Sequence, residues 1–207
     1  YQTIGMITVG LNPFVDKTMA SWLGEGSVSV LHYADRLYMI PVSFMCAGLF
    51  PVVLSHWSKD YYQKEEKSWL LQKVRNTAKL VLRTSSIIFL VLVLLSQSLV
   101  RLAFGHGKFD PKYLHILHWT FICYLFGLIP YTVGSMFTRG HLVLKNTSFL
   151  MKLAIFNCFL NVVLNYVLMQ FIGVAGIALS TSITFLIIAI LLFASFSQNL
   201  RRIYGKN

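Results

Sequence analysis

Four stretches without a formal charge dominate the chain: Thr84–Val100 (extendable across Arg101 to Phe104), Tyr113–Thr138, Leu153–Ile172 and Gly173–Ser197. About 20 consecutive apolar residues are what a helix needs to cross the hydrocarbon core of a bilayer. No water is present there, so a continuously apolar segment must pair its backbone groups within itself, as a helix does. A fifth stretch, Val30–Ser55, is as long but carries Asp35 and Arg36 near one end. The first 23 residues form a weaker sixth, interrupted by Asp16 and Lys17. The expected fold class is all-α, a polytopic membrane bundle with spans at about 1–23, 30–55, 84–104, 113–138, 153–172 and 173–197, all in one lobe over 1–207. Only 12% of the residues are charged and 56% are hydrophobic, whereas a soluble domain carries about 25% charged residues.

The formal net charge of +11 raises nucleic acid as a partner. The location of the charge argues against it. With six spans, thirteen basic residues fall on the side of the two termini and only five (Lys17, Arg36, Arg101, Lys108 and Lys112) on the other. Basic residues concentrate on the cytoplasmic side of membrane proteins, so both termini are expected in the cytoplasm, with no nucleic acid. Between the second and third spans, residues 56–83 are expected to form a cytoplasmic amphipathic link, because Trp69, Leu70, Leu71, Val74 and Ala78 recur at helical spacing. Asp110-Pro111 reads as an N-cap followed by proline at the first helical position. Gly173 to Gly176 reads as a tight uncharged turn that leaves the last two spans as antiparallel neighbours. The first residues do not read as a secretory signal, and the opening Tyr-Gln-Thr, without methionine, reads as if cut from a longer protein.

Chemistry is sparse. Cys46, Cys123 and Cys158 are far apart in apolar runs and read as small hydrophobes. His115 and His118 share a helix face but have no acidic or cysteine neighbour, so no metal is expected there. Nucleotide, metalloprotease and serine-hydrolase motifs are absent from the sequence. An enzyme and a cofactor are therefore not expected, and the energy for any transport would come from a gradient or a partner.

The polar residues inside the spans are the functional candidates. A full charge within a span costs roughly 2.5–3.5 kcal/mol on insertion scales. His32, Asp35 and Arg36 lie within one helical turn. Arg36 points about 100° away from Asp35, so a cargo anion or an acidic residue from elsewhere is a better partner than its neighbour. Two readings stay open: contact with an anionic cargo, or anchoring at the membrane interface with Arg36 snorkelling. Pro41, Gly48 and Pro51 in the same span suggest either a hinge or a static kink. Pro130, with Gly127 and Gly134, suggests a bend in the fourth span. Asn157, Asn161 and Asn165 repeat every four residues, a polar stripe facing another helix or a cavity. Gly176 and Ser180 permit close helix packing.

The segment DKTMASWLGEGSVSVLHYADRLYMIP, Asp16 to Pro41, resembles the hallmark region of the lipid II flippase family (MurJ, also called MviN). The resemblance rests on Asp16-Lys17, Ala20-Ser21, Gly26 to Ser29, Tyr33 to Leu37 and Pro41. Leu54-Ser55, Gly107 to Asp110 and GVAGIALSTS from Gly173 extend it across the chain. It implies the multidrug/oligosaccharidyl-lipid/polysaccharide exporter fold, two six-helix lobes around a central cavity, of which this chain looks like the second. It also implies flipping of undecaprenyl-diphosphate-linked peptidoglycan precursor across the bacterial inner membrane by alternating access, with Arg36 meeting the diphosphate and Asp35 beside it. The expected substrate-contacting set is Arg36, Asp35, Asp16, Lys17 and Asn161, with Pro41, Pro51 and Gly48 as hinge. The expected partners are a lipid-linked cell-wall precursor, membrane lipids and a first lobe or partner chain. Lys17 stands where the family more often has arginine, which keeps the charge and loses the fork. The segment Thr138 to Phe149 also departs from the family pattern. Rival readings are an exporter of other polyprenyl-linked oligosaccharides, a cation-coupled drug antiporter and a non-transporting membrane half-protein.

Overall fold

The computed structural model describes the backbone of residues 2–62, 67–105 and 111–204, and the side chains of 10–46, 74–105 and 111–199. Seven helices occupy the described residues: α1 (Gln2–Ser21), α2 (Ser27–Tyr62), α3 (Lys67–Phe104), α4 (Pro111–Leu125), α5 (Leu128–Val143), α6 (Thr147–Ile172) and α7 (Val174–Tyr204). Helices α4 and α5 are two parts of one apolar segment, Pro111–Val143. That segment, Val74–Phe104, Thr147–Ile172 and Val174–Asn199 are each long and apolar enough to cross a membrane. Helices α1 and α2, which carry the internal charges, pack into the same bundle.

The bundle wears its apolar residues outside. Leu94, Phe44, Phe171, Leu102 and Phe14 are all more than two-thirds exposed, while Asp16, Asn157, Asn161, Asn165, Ser180 and Thr184 are buried. A protein in water would not leave so much large apolar surface uncovered. Lipid makes that surface neutral and drives the polar groups inward, where they find partners.

Helices α2 and α3 are longer than the sequence reading allows. No glycine or proline falls between Pro51 and Gly105, so nothing locally stops a helix. Lys, Gln, Leu and Ala in 67–83 favour one. Within the expected link at 56–83 the described residues are helical, extending α2 to Tyr62 and beginning α3 at Lys67. At 36 and 38 residues the two helices are about 54–57 Å long and exceed a hydrocarbon core of about 30 Å. Val74 and Ala78 pack into the core with Met136, Phe137, Leu192 and Phe196.

Turn chemistry sets the other boundaries. Gly24 and Gly26 join α1 to α2 with φ of 102° and 79°, values that disfavour any residue with a Cβ. A Cβ at Gly26 would also lie 2.6 Å from the Tyr113 ring. Gly173, at φ 59°, is the single residue between α6 and α7. A Cβ on Gly176 would collide with the Leu168 carbonyl of α6, so the small residue there permits the expected antiparallel packing. Pro111 opens α4, while Asp110, expected as its cap, lies outside the described residues.

The bend expected around Pro130 takes the form of a break at Phe126-Gly127. Pro130 then sits at the third position of α5, where a helix has no internal partner for its N–H groups. Ser182 of α7 donates to the Cys123 carbonyl at 2.6 Å, satisfying a backbone group that the break releases, while the Tyr124 carbonyl accepts from the Gly127 N–H at 2.9 Å.

Candidate functional site

Helices α1, α6 and α7 converge on one carboxylate. Asp16, 6% exposed, accepts a hydrogen bond at Oδ1 from Asn165 Nδ2 at 2.6 Å. The Thr181 hydroxyl lies 3.5 Å from its Oδ2. Asn165 Nδ2 also reaches Asn161 Oδ1 at 3.1 Å, and Asn165 Oδ1 accepts from the Ser180 hydroxyl. The four-residue repeat of the asparagines makes this possible, since positions i and i+4 stack on one helix face. A carboxylate this far from water is stable only when paired, hydrogen-bonded or neutralised by a proton or cation. Asp16 has hydrogen bonds in place and an oxygen-rich surrounding suited to either proton or cation.

A cavity of about 170 Å³ opens beside Asp16. Asn12 and Lys17 of α1, His32, Asp35 and Tyr38 of α2, Tyr124 and Tyr131 of the broken segment, Asn157 and Asn161 of α6, and Thr181 and Thr184 of α7 are among its walls. Tyr38 stacks on Tyr124 with ring centroids 5.5 Å apart, and Tyr131 lies 4.9 Å from Phe185. The α4–α5 break falls between Tyr124 and Tyr131, which bring both of its sides to the cavity.

Four of the five expected contact residues meet here. Asp16 and Asn161 are buried in the wall, Asp35 is half-buried and Lys17 is exposed. Arg36 stands apart: it is exposed and is not one of the cavity-lining residues. One residue further along the helix turns it away from Asp35, onto a face shared with exposed Tyr33, Ile40 and Phe44. Helix α2 runs unbroken through Pro41, Gly48 and Pro51. Pro41 is half-buried, whereas side-chain surroundings at positions 48 and 51 lie outside the described residues. His118 bonds the Ser96 hydroxyl at 3.0 Å, and His115 accepts from Trp119 at 3.2 Å. The three cysteines are free and half-buried.

Sequence reasoning missed Asn12, Tyr38, Tyr124, Tyr131, Thr181 and Thr184. The hydroxyls at 180, 181, 182 and 184 in an otherwise apolar helix were a usable signal, of the same kind as the asparagine stripe. The tyrosines carried none, because their convergence depends on how distant helices pack.

A helix bundle with apolar surface, a buried carboxylate and a polar cavity between helices defines the class, a polytopic membrane helix bundle with a polar interior. Solved transporters share the architecture. An inward-facing multidrug resistance MATE family transporter of the MOP superfamily superposes with a TM-score of 0.86 over 99% of this chain and 47% of its own, at 15% identity. Lipid II flippase MurJ in an inward closed conformation superposes with a TM-score of 0.79 at 27% identity, covering 97% of this chain and 43% of that one. The sequence profile of the family described as Lipid II flippase MurJ matches residues 1–206, and the chain belongs to that family. A probable lipid II flippase MurJ of Helicobacter pylori (strain ATCC 700392 / 26695) is 26% identical over 201 residues, 95% of this chain and 42% of the relative. The lipid II flippase MurJ of Thermosipho africanus (strain TCF52B) is 30% identical over 153 residues, 74% of this chain and 31% of the relative. The chain thus spans about two-fifths or less of the length of these relatives.

Proposed function

We propose that this chain is one lobe of a flippase that moves undecaprenyl-diphosphate-linked peptidoglycan precursor across the bacterial inner membrane by alternating access. The first lobe lies within the remaining length of the relatives. The observation that carries the reading is a polar, carboxylate-bearing cavity inside a lipid-facing bundle, in a chain whose family match runs over residues 1–206. The six-span arrangement with both termini cytoplasmic rests on the charge asymmetry.

Arg36 is the anion contact. Its guanidinium is exposed on an otherwise apolar helix face, one residue from the cavity-lining Asp35, available to a diphosphate held between this lobe and the next. Arginine suits that ligand because its fork of donors matches phosphate oxygens and stays charged. Lys17, exposed at the cavity wall, adds a second positive charge. Asp16 is the coupling group, taking up and releasing a proton or a monovalent cation as the cavity changes access.

The test uses full-length protein in liposomes loaded with lipid-linked precursor. Arg36→Ala is expected to lower translocation about tenfold or more, since hydrogen bonds to charged groups contribute about 1.5–3 kcal/mol each. Arg36→Lys should fall between that variant and the parent. Translocation by the alanine variant at the parental rate, with equal insertion, refutes the role of Arg36.

A further inference from the structure

Helix α3 exposes one continuous stripe whose chemistry changes along its length. Arg75, Lys79 and Arg83 recur every four residues, and Ile87, Leu90 and Leu94 continue the series at steps of four, three and four. Such steps keep to one helix face, and all six side chains are exposed. The opposite face fixes this rotation. Val74, Val81 and Ser85 are buried, and Val74 and Val81 belong to the core formed with Met136, Phe137 and Phe196. The basic residues are thereby turned away from the bundle.

The dimensions of the stripe match a phospholipid laid along the helix. Thr84–Val100 carries no charge, and the helix rises about 27 Å from Arg83 to Arg101, close to the hydrocarbon thickness of about 30 Å. Arg83 therefore stands at one edge of the hydrocarbon, with Lys79 about 6 Å and Arg75 about 12 Å beyond it. A headgroup layer is about 5–7 Å deep, so Arg83 and Lys79 lie within it, and Arg75 reaches it with a long side chain. No aspartate or glutamate occurs between Glu66 and Asp110, so α3 has no acid of its own to balance the stripe. The bias of basic residues towards the cytoplasmic side accounts for which end of α3 is basic, but not for their alignment on one lipid-facing edge. Among the described residues no other helix aligns three exposed basic side chains on one face.

We propose that Arg75, Lys79 and Arg83 bind the headgroup of an anionic phospholipid whose acyl chain lies along Ile87, Leu90 and Leu94. Charge complementarity selects the ligand. A zwitterionic headgroup brings its own ammonium towards three cations, whereas an anionic one brings net negative charge. Arg75 and Arg83 present forked donors to phosphate oxygens, and Lys79 between them adds a compact charge. Near a membrane surface each such residue strengthens the attraction for anionic lipid about fivefold. None of the three lines the cavity beside Asp16, and the site does not depend on the transport reading. In the orientation proposed above it faces the cytoplasmic leaflet.

The experiment titrates delipidated full-length protein in maltoside micelles with phosphatidylglycerol or with phosphatidylcholine, and counts bound lipids by native mass spectrometry. The parent is expected to hold phosphatidylglycerol at least tenfold more tightly than phosphatidylcholine. Replacing Arg75, Lys79 and Arg83 together by glutamine should remove one tightly held phosphatidylglycerol, its affinity falling about a hundredfold, and leave phosphatidylcholine binding unchanged. Lys79→Gln alone should cost about fivefold, and carries the test if the triple variant inserts poorly. Lys79→Gln with Leu80→Lys keeps the net charge but turns one cation about 100° off the stripe, and should weaken binding as much as Lys79→Gln alone. Arg75→Lys with Arg83→Lys should retain most of the binding. Unchanged phosphatidylglycerol binding in the triple variant, parental affinity in the charge-shifted variant, or equal binding of the two lipids by the parent overturns the site. Self-association of the parent that the triple variant loses, with lipid binding unchanged, overturns it in favour of contact with a second copy.

Discussion

Asn165→Ala tests whether the buried carboxylate is held by its amide hub. The substitution removes the 2.6 Å bond to Asp16 and the 3.1 Å bond to Asn161. Ser180 loses an acceptor but keeps the Ile177 carbonyl at 2.8 Å, so little of the loss arises there. Asp16 is left with Thr181, whose hydroxyl at 3.5 Å also points to the Ile177 carbonyl at 3.1 Å. A hydrogen bond to a charged group contributes about 1.5–3 kcal/mol and a neutral one about 1 kcal/mol. The expected destabilisation is therefore about 2–4 kcal/mol. In an Asp16→Asn background the charge is gone, both bonds are neutral, and the same substitution should cost about 2 kcal/mol. The double-mutant cycle then returns a coupling of about 0.5–2 kcal/mol. Unfolding of the full-length protein in mixed micelles supplies the free energies. Equal losses in the two backgrounds would show that Asn165 is ordinary helix packing and that the network around Asp16 carries no special weight.

Two packing predictions follow from close approaches. Gly176→Ala drives a Cβ into the Leu168 carbonyl and to 2.8 Å from the Met169 nitrogen, backbone atoms of α6 that cannot turn aside. The loss should reach about 3 kcal/mol, seen as a lowered unfolding midpoint and a smaller folded yield. Gly10→Ala, where a Cβ meets nothing within 4 Å, is the matched control and should be neutral or slightly stabilising. At the α4–α5 break, Ser182→Ala removes the 2.6 Å bond to the Cys123 carbonyl and should cost about 1 kcal/mol. Gly127→Ala places a Cβ 2.8 Å from the Ser182 hydroxyl oxygen, so the double variant should lose less than the sum of the singles, measurable in the same unfolding assay.

How much of this was legible in the chain varies by element. The uncharged runs correspond to α3, the α4–α5 segment, α6 and α7 because continuous apolarity over a bilayer's thickness leaves a helix few alternatives. Pro111, Gly173 and Gly176 marked boundaries by their own backbone constraints. The reach of α2 to Tyr62 and of α3 back to Lys67 was harder to see, because charge in a sequence marks the edge of the hydrocarbon and not the end of a helix. At the site, the four-residue asparagine repeat announced a polar face, and Asp16 and Asp35 announced themselves as charges within apolar stretches.

What the sequence determined by itself is a membrane-embedded helical bundle with polar groups directed inward, since hydropathy and helical periodicity are local properties of the chain. Only the tertiary structure decided that Asn165 faces Asp16, 149 positions away, that Tyr38 stacks on Tyr124, and that Arg36 stands off the cavity wall on which Asp35 lies. Those facts depend on the rotation and crossing of whole helices, which packing between small residues and partnered polar groups sets. A difference of one residue turns a side chain about 100° round a helix, enough to separate a cavity-lining carboxylate from an outward-facing guanidinium.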